Sequence, residues 1–286
     1  MKTSTQTLIL ANEFGPEEAV RMICDAGFDC IDHSLFSGKR GKMDIEKTDF
    51  LSDMEKLREI AVSYGVDFNQ THAPFASFRE GDDDYNEWVK PLIIKAIEAT
   101  GILGAKYVVI HPFAISKNQK QANMDFFGSL IPYAEKHDVK IAIENMFGHD
   151  PVKDVLVKNV CSDGPELCDY IDTLNSKSIV ACIDIAHCGL VGEDAAHMIK
   201  MVGGDRIKCL HVHDNDHKND LHTIPFTEKI DFPSVIQALI DINYNGELTL
   251  EADHFLYGFP KELYKDCLSL MSRTARYLAD MSSVDE

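Results

Sequence analysis

Residues 181–188 read ACIDIAHC, an apolar run that halts on Asp184 and sets His187 three residues further on. With Ile179 and Val180 before it, the run reads as a short strand buried on both faces. The same pattern recurs on either side. Upstream, NQTHAPF (69–75), VVIHPF (108–113) and IAIENMF (141–147) stop on His72, His111 and Glu144. Downstream, LHVHDND (210–216) carries His211 and His213, and LTLEADH (248–254) stops on Glu251. From His72 to Glu251 the intervals are 39, 33, 40, 27 and 40 residues, each near one strand-plus-helix repeat. Residues one repeat apart, at the same end of parallel strands, converge on one mouth of a barrel, where barrel enzymes do their chemistry.

Extended over the whole chain, this pattern places strands near 7–10, 28–33, 66–72, 107–111, 140–144, 179–184, 207–213 and 247–251. Helical stretches such as PEEAVRMICDAG (16–27) and DDYNEWVKPLIIKAIEATGILG (83–104) lie between them. Pro16 stands at a helix-start position, and Gly65, Gly104 and Gly246 precede strands where a left-handed residue ends the helix or its turn. Eight strands alternating with helices predict an α/β fold: one (β/α)₈ barrel over residues 1–286, a single domain. No GxGxxG follows the first strand to suggest a dinucleotide fold.

Composition narrows the partners. With 28 basic against 47 acidic residues, the net charge is −19, a poor balance for gripping nucleic acid or anionic membranes. No apolar run reaches membrane-span length, and the N-terminus lacks the pattern of a signal peptide. Eight cysteines without CxxC spacing read as reduced thiols. These features predict a cytoplasmic protein with a small-molecule partner.

Taken singly, a histidine or glutamate at a strand end is ordinary. Six such positions in register are not, because burying several carboxylates and imidazoles together is costly without a cation. Position alone selects Glu144, Asp184, His211 and Glu251 as the ligands of one divalent metal. Oxygen-rich ligation with room for substrate suits Mn²⁺, Mg²⁺ or Co²⁺, and the additional histidines also suit Zn²⁺.

At these motifs, with ATGILGAKYVVIHP (99–112) and DLHTIPFTEKIDF (220–232), the chain resembles the xylose-isomerase-like barrel superfamily. That superfamily includes sugar and sugar-phosphate isomerases and epimerases, inosose dehydratases and endonuclease-four type apurinic-site nucleases. The resemblance to its ketose 3-epimerases implies one metal on Glu144, Asp184, His211 and Glu251. It further implies that His187 contacts substrate oxygens and that His217 stands where those enzymes bind substrate through arginine. The nucleases bind three zinc ions, and counterparts for all their ligands are present: His72, His111 and Glu144; then Glu144, Asp184, His211 and Glu251; then His187, Asp220 and His222. The net charge and the continuations NMFGHDPVKD (145–154) and TIPFTEKIDF (223–232) resemble the isomerase branch instead. The resemblance therefore implies a metal-dependent sugar or sugar-phosphate isomerase or epimerase, with an inosose-type dehydratase and an apurinic-site nuclease as alternatives, and a homo-oligomeric assembly.

For such a reaction, Glu144 and Glu251 would act as base and acid on a proton next to a carbonyl, with an enediolate between. Phe36, Phe75 and Trp88 are candidates for an apolar wall against the sugar. Lys39, Arg40, Lys42, Lys117 and Lys120 would be available to a substrate phosphate.

Overall fold

The computed structural model describes residues 1–36 and 45–282; Lys39, Arg40 and Lys42 lie outside them. Eight parallel strands form one sheet: β1 (Thr3–Gln6), β2 (Cys30–Ser34), β3 (Asp67–His72), β4 (Tyr107–Ile110), β5 (Lys140–Glu144), β8 (Ile179–Asp184), β9 (Ile207–His211) and β10 (Leu248–Leu250). They run in the order β10-β1-β2-β3-β4-β5-β8-β9. Among the described residues, the ring closes through a single bridge, Val212 to Leu250. There the Val212 amide donates to Thr249 O at 2.9 Å and the Glu251 amide donates to Val212 O at 3.1 Å. A two-stranded antiparallel ribbon, β6 (Phe147–Asp150) and β7 (Val155–Lys158), rises after β5.

Helices cover the outside of the sheet: α1 (Leu8–Phe14), α2 (Pro16–Asp25), α3 (Phe50–Ser63), α4 (Asp83–Leu103), α5 (Gln119–Lys136), α6 (Gly164–Leu174), α7 (Ile185–Leu190), α8 (Ala195–Val202), α9 (Phe232–Asp241) and α10 (Tyr264–Met281). Their starts have identifiable causes. Asp82, Asp163, Asp194 and Asp231 each accept a first-turn amide, and proline occupies the first turn of α2, α6 and α9. The main apolar core lies between helices and sheet and includes Ile23, Ile31, Ile97, Phe127, Ile143, Ile183 and Leu210.

Alternation along the strands places the chemistry. Successive side chains face opposite sides, so Val109, Ala142, Val180, Cys182 and Cys209 pack together inside the barrel as a small separate cluster. Two residues beyond Val109, Ala142, Cys182 and Cys209, on the same inner face, stand His111, Glu144, Asp184 and His211. The same count carries Gln70 to His72 and Thr249 to Glu251. Near the opposite end the interior is polar: Ser4 Oγ donates to Asn69 Oδ1 at 2.7 Å, and Asn69 Nδ2 donates to Thr249 Oγ1 at 3.0 Å.

Two expectations are corrected. The first strand is Thr3–Gln6, and the 7–10 segment enters α1, where Ile9, Leu10 and Ala11 are buried. The residues of the polar run TSTQ are all buried, with Ser4 and Gln6 bonded to groups inside the barrel. Gly246 has no left-handed backbone, unlike Gly65 and Gly104, and it packs against the Tyr244 ring.

Candidate active site

The strand ends bring most of the expected groups into one buried volume. Glu144, at the tip of β5, is its hub. His111 Nε2 lies 2.9 Å and His72 Nε2 3.7 Å from Glu144 Oε2, while His211 Nδ1 lies 3.4 Å and His187 Nδ1 3.5 Å from Oε1. His211 Nδ1 is also 3.2 Å from Glu251 Oε2. Gln6 Nε2 donates to the other Glu251 oxygen at 2.5 Å, tying β1 to the end of β10.

Asp184 does double duty as the last residue of β8 and the N-cap of α7. Its Oδ1 accepts the Ala186 and His187 amides at 2.8 and 2.9 Å, which fixes where His187 stands. The Asp184 amide donates to Asn145 Oδ1 at 2.8 Å, and His187 Nδ1 meets Asn145 O at the same distance. Asp184 Oδ2 faces His213 Nε2 at 3.1 Å and His187 Nε2 at 3.5 Å. Asp220 and His222 pair at 2.9 Å, and the His222 and His213 rings stack with centroids 4.1 Å apart. Within this volume the possible ligand atoms of His72, His111 and Glu144 lie within 4.8 Å of one another, as do those of His72, His211 and Glu251, of Asp184, His187 and His213, and of His213, Asp220 and His222.

His213, Gln6 and Asp32 belong to this constellation without having been assigned roles from sequence. His213 was legible in principle, since it stands two residues after His211 on the same strand face. Asp214 is structural: its carboxylate accepts the amides of Asn215, Glu228 and Ile230 and so staples the loop that carries Asp220 and His222. His217 stands apart. It is exposed, its ring lies against Gly189, and it lines a surface groove with Glu193 and Asp231. Phe36, Phe75 and Phe147 lie edge-on to His72, His111 and His187 at 5.1, 4.7 and 4.8 Å. Trp88 sits on the outside of α4, with its indole N–H on Glu46. Lys120 pairs with Asp169 at 2.6 Å, and Lys117 is exposed.

The electrostatics separate the two glutamates. Burial works to raise the Glu144 carboxyl, but His211 and His111 outweigh it and hold the group well below the usual range. Burial raises Glu251 and prevails there, against His211 and His222. Asp184 is held low by His187 and His213 despite its burial. His211 is held well above the usual imidazole range: burial opposes this, and Glu251 and Glu144 are among the groups that overcome it. The donor set suits a divalent cation. Among the described residues, both ring nitrogens of His211, the Nδ1 of His111 and the Oδ1 of Asp220 are buried without a hydrogen-bond partner, a costly arrangement that a cation on His211 Nδ1 or Asp220 Oδ1 would relieve at those atoms.

Residues 20–273 match the family model for xylose isomerase-like TIM barrels. The chain belongs to that family. An uncharacterized protein of Methanocaldococcus jannaschii is 26% identical over 257 residues, covering 84% of this chain and 83% of that protein. A probable endonuclease 4 of Staphylococcus saprophyticus is 28% identical over 188 residues, covering 59% of this chain and 58% of the relative. Among solved structures, a D-tagatose 3-epimerase-like protein superposes with a TM-score of 0.73 at 21% identity, over 96% of this chain and 99% of that one. The xylose isomerase-like barrel is thus shared across nearly the full length, at an identity that carries the fold alone.

Proposed function

We propose that the chain is a metal-dependent sugar or sugar-phosphate isomerase or epimerase that moves a proton on carbon next to a carbonyl. One observation carries this reading: Glu144 and Glu251, from different strands, approach the same nitrogen of His211, at 3.4 and 3.2 Å. Two carboxyl groups converging on one point from different strands suit a base and an acid. Glu144, Asp184, His211 and Glu251 would hold the divalent ion, which when bound supplies a Lewis acid for the carbonyl and its neighbouring hydroxyl. Among the protein groups, Glu144 and Glu251 would serve as base and acid, one taking the proton and the other returning it. Gln6 fixes the Glu251 carboxyl from the far side, and Asn145 and Asp184 set the orientation of His187, which is placed to bind a substrate hydroxyl. Phe36 and Phe75 back the imidazoles of His72 and His111, while Trp88, on the outside of the barrel, takes no part.

A second reading has its own support. His72, His111 and Glu144 form one compact group, and His213, Asp220 and His222 another, so the mouth could hold more than one ion, as an apurinic-site nuclease would require.

Solvent deuterium separates these chemistries. A panel of ketoses, aldoses, their phosphates and inososes is incubated in D₂O with Mn²⁺, Co²⁺, Mg²⁺ or Zn²⁺. Deuterium entering carbon next to the carbonyl of one member, with all oxygens retained, is the expected result, and Glu144→Gln or Glu251→Gln should abolish it, because an amide cannot take the proton. Loss of water would mark a dehydratase. Metal-dependent nicking of an abasic duplex with no sugar exchange would overturn the proposal in favour of the nuclease.

A further inference from the structure

Asp32 lies on the inner face of β2 and is fully buried. Two strands, β10 and β1, separate β2 from β9 around the barrel, yet Asp32 Oδ2 comes within 3.6 Å of His211 Nε2 across the interior. That oxygen also accepts Gln70 Nε2 at 3.0 Å, and the other carboxylate oxygen, Oδ1, has no hydrogen-bond partner among the described residues. His211 is equally buried, and its opposite nitrogen, Nδ1, is the atom that faces Glu144 and Glu251. His72 stacks on the same imidazole, with centroids 5.5 Å apart and planes inclined at 15°.

We infer that Asp32 is the positioning residue of the site: its carboxylate accepts from the protonated Nε2 of His211 and so keeps the Nδ1 lone pair turned toward the mouth. This rests on the metal-site reading above. An imidazole has two distinct nitrogens, and the group facing one decides which tautomer the other presents. Carboxylates behind ligating histidines fix the ring in this way and strengthen the ligand. A separation of 3.6 Å is longer than a hydrogen bond but within the reach of an ion-pair contact. Gln70 holds the carboxylate aimed at the ring. The pairing also accounts for a fully buried carboxylate whose one hydrogen bond comes from a neutral amide, which would be costly without a second partner.

The test uses full-length protein loaded with Zn²⁺, which is diamagnetic. In ¹⁵N-labelled wild type, the His211 ring is expected to show a proton on Nε2, protected from exchange, with Nδ1 unprotonated. Asp32→Leu removes the acceptor and should weaken Zn²⁺ binding roughly 10–100-fold in competition with a chromophoric chelator. Asp32→Asn keeps an oxygen and should fall between. A merely structural role would lower the melting temperature of these variants and leave affinity alone. The inference is overturned if Zn²⁺-loaded wild type carries the proton on Nδ1, or if folded Asp32→Leu binds Zn²⁺ as tightly as wild type. Should the variants fail to fold, the wild-type ring proton still decides. Wild type that binds no metal would defeat the functional proposal, while the protected Nε2 proton in metal-free protein would still report on the Asp32 contact.

Discussion

At the scale of single residues, the site divides into groups that touch Glu144 and groups that touch Asp184, with His187 reaching both. This division makes the metal count testable. Wild type is expected to retain about one tightly held divalent ion per chain by elemental analysis, and Glu251→Gln to lose it. His72→Ala and His222→Ala should leave the count unchanged. Loss of a second or third equivalent in either variant would shift the balance to the three-metal nuclease reading. Much of this constellation was legible because barrel strands present their inward residues two apart, so a polar residue ending an apolar run had to face the mouth. The legibility failed where a residue's neighbours decide its direction. His217 follows the site histidines by only a few positions, but its left-handed backbone and the space left by Gly189 put its ring on the outer surface. Asp32 gains its role only from its approach to His211 across the barrel, which no local pattern at 28–33 reveals.

At the scale of elements, the miss at 7–10 is instructive. TLIL looks like a strand because it is apolar, yet the strand is the polar TSTQ before it, buried by closing the barrel rather than by its own hydrophobicity. Local composition cannot reveal that, because the partners of Ser4 and Gln6 arrive from positions 69 and 251. Nor did the sequence reading anticipate the ribbon of β6 and β7, whose exposed and half-buried residues carry no strong alternation. One carboxylate latches the last helix to this first strand. Asp29 Oδ2 accepts the Thr3 amide at 2.8 Å and the Arg276 guanidinium of α10 at 2.5 Å. Burial works to raise the Asp29 carboxyl, but these contacts outweigh it and hold the group below its usual value. Its contribution is therefore present above the ordinary aspartate range and lost as pH falls through the depressed folded value. Asp29→Asn should cost about 1–2 kcal/mol near neutrality. In thermal melts the gap from wild type should shrink on going from about pH 6 to about pH 3; a gap of constant size would show that the charge contributes nothing.

At the scale of the whole molecule, the −19 charge and the buried acidic mouth act in the same direction, favouring cations and disfavouring polyanions. Among the described residues, no helix is long and apolar enough to cross a membrane. The barrel is also unevenly sewn. Seven of its junctions are ladders, while the eighth is the lone bridge from Val212 to Leu250. His211 immediately precedes one side of that bridge and Glu251 immediately follows the other, 3.2 Å apart at their side chains. A cation gripped by both would act as a rivet through the weakest joint of the cylinder. At a hundredfold excess over its Kd, a ligand adds about 2.7 kcal/mol to stability. Here that gain should be felt first at one place: on stripping the metal, the Val212 and Glu251 amides should exchange with solvent faster than those of β4 and β5, and re-adding Mn²⁺ or Zn²⁺ should restore their protection. Uniform acceleration across all eight strands on stripping the metal would argue against the rivet. If the joint does loosen first, the barrel's own hoop tension depends on its cargo, and the empty protein would breathe along a single line that runs past its active site.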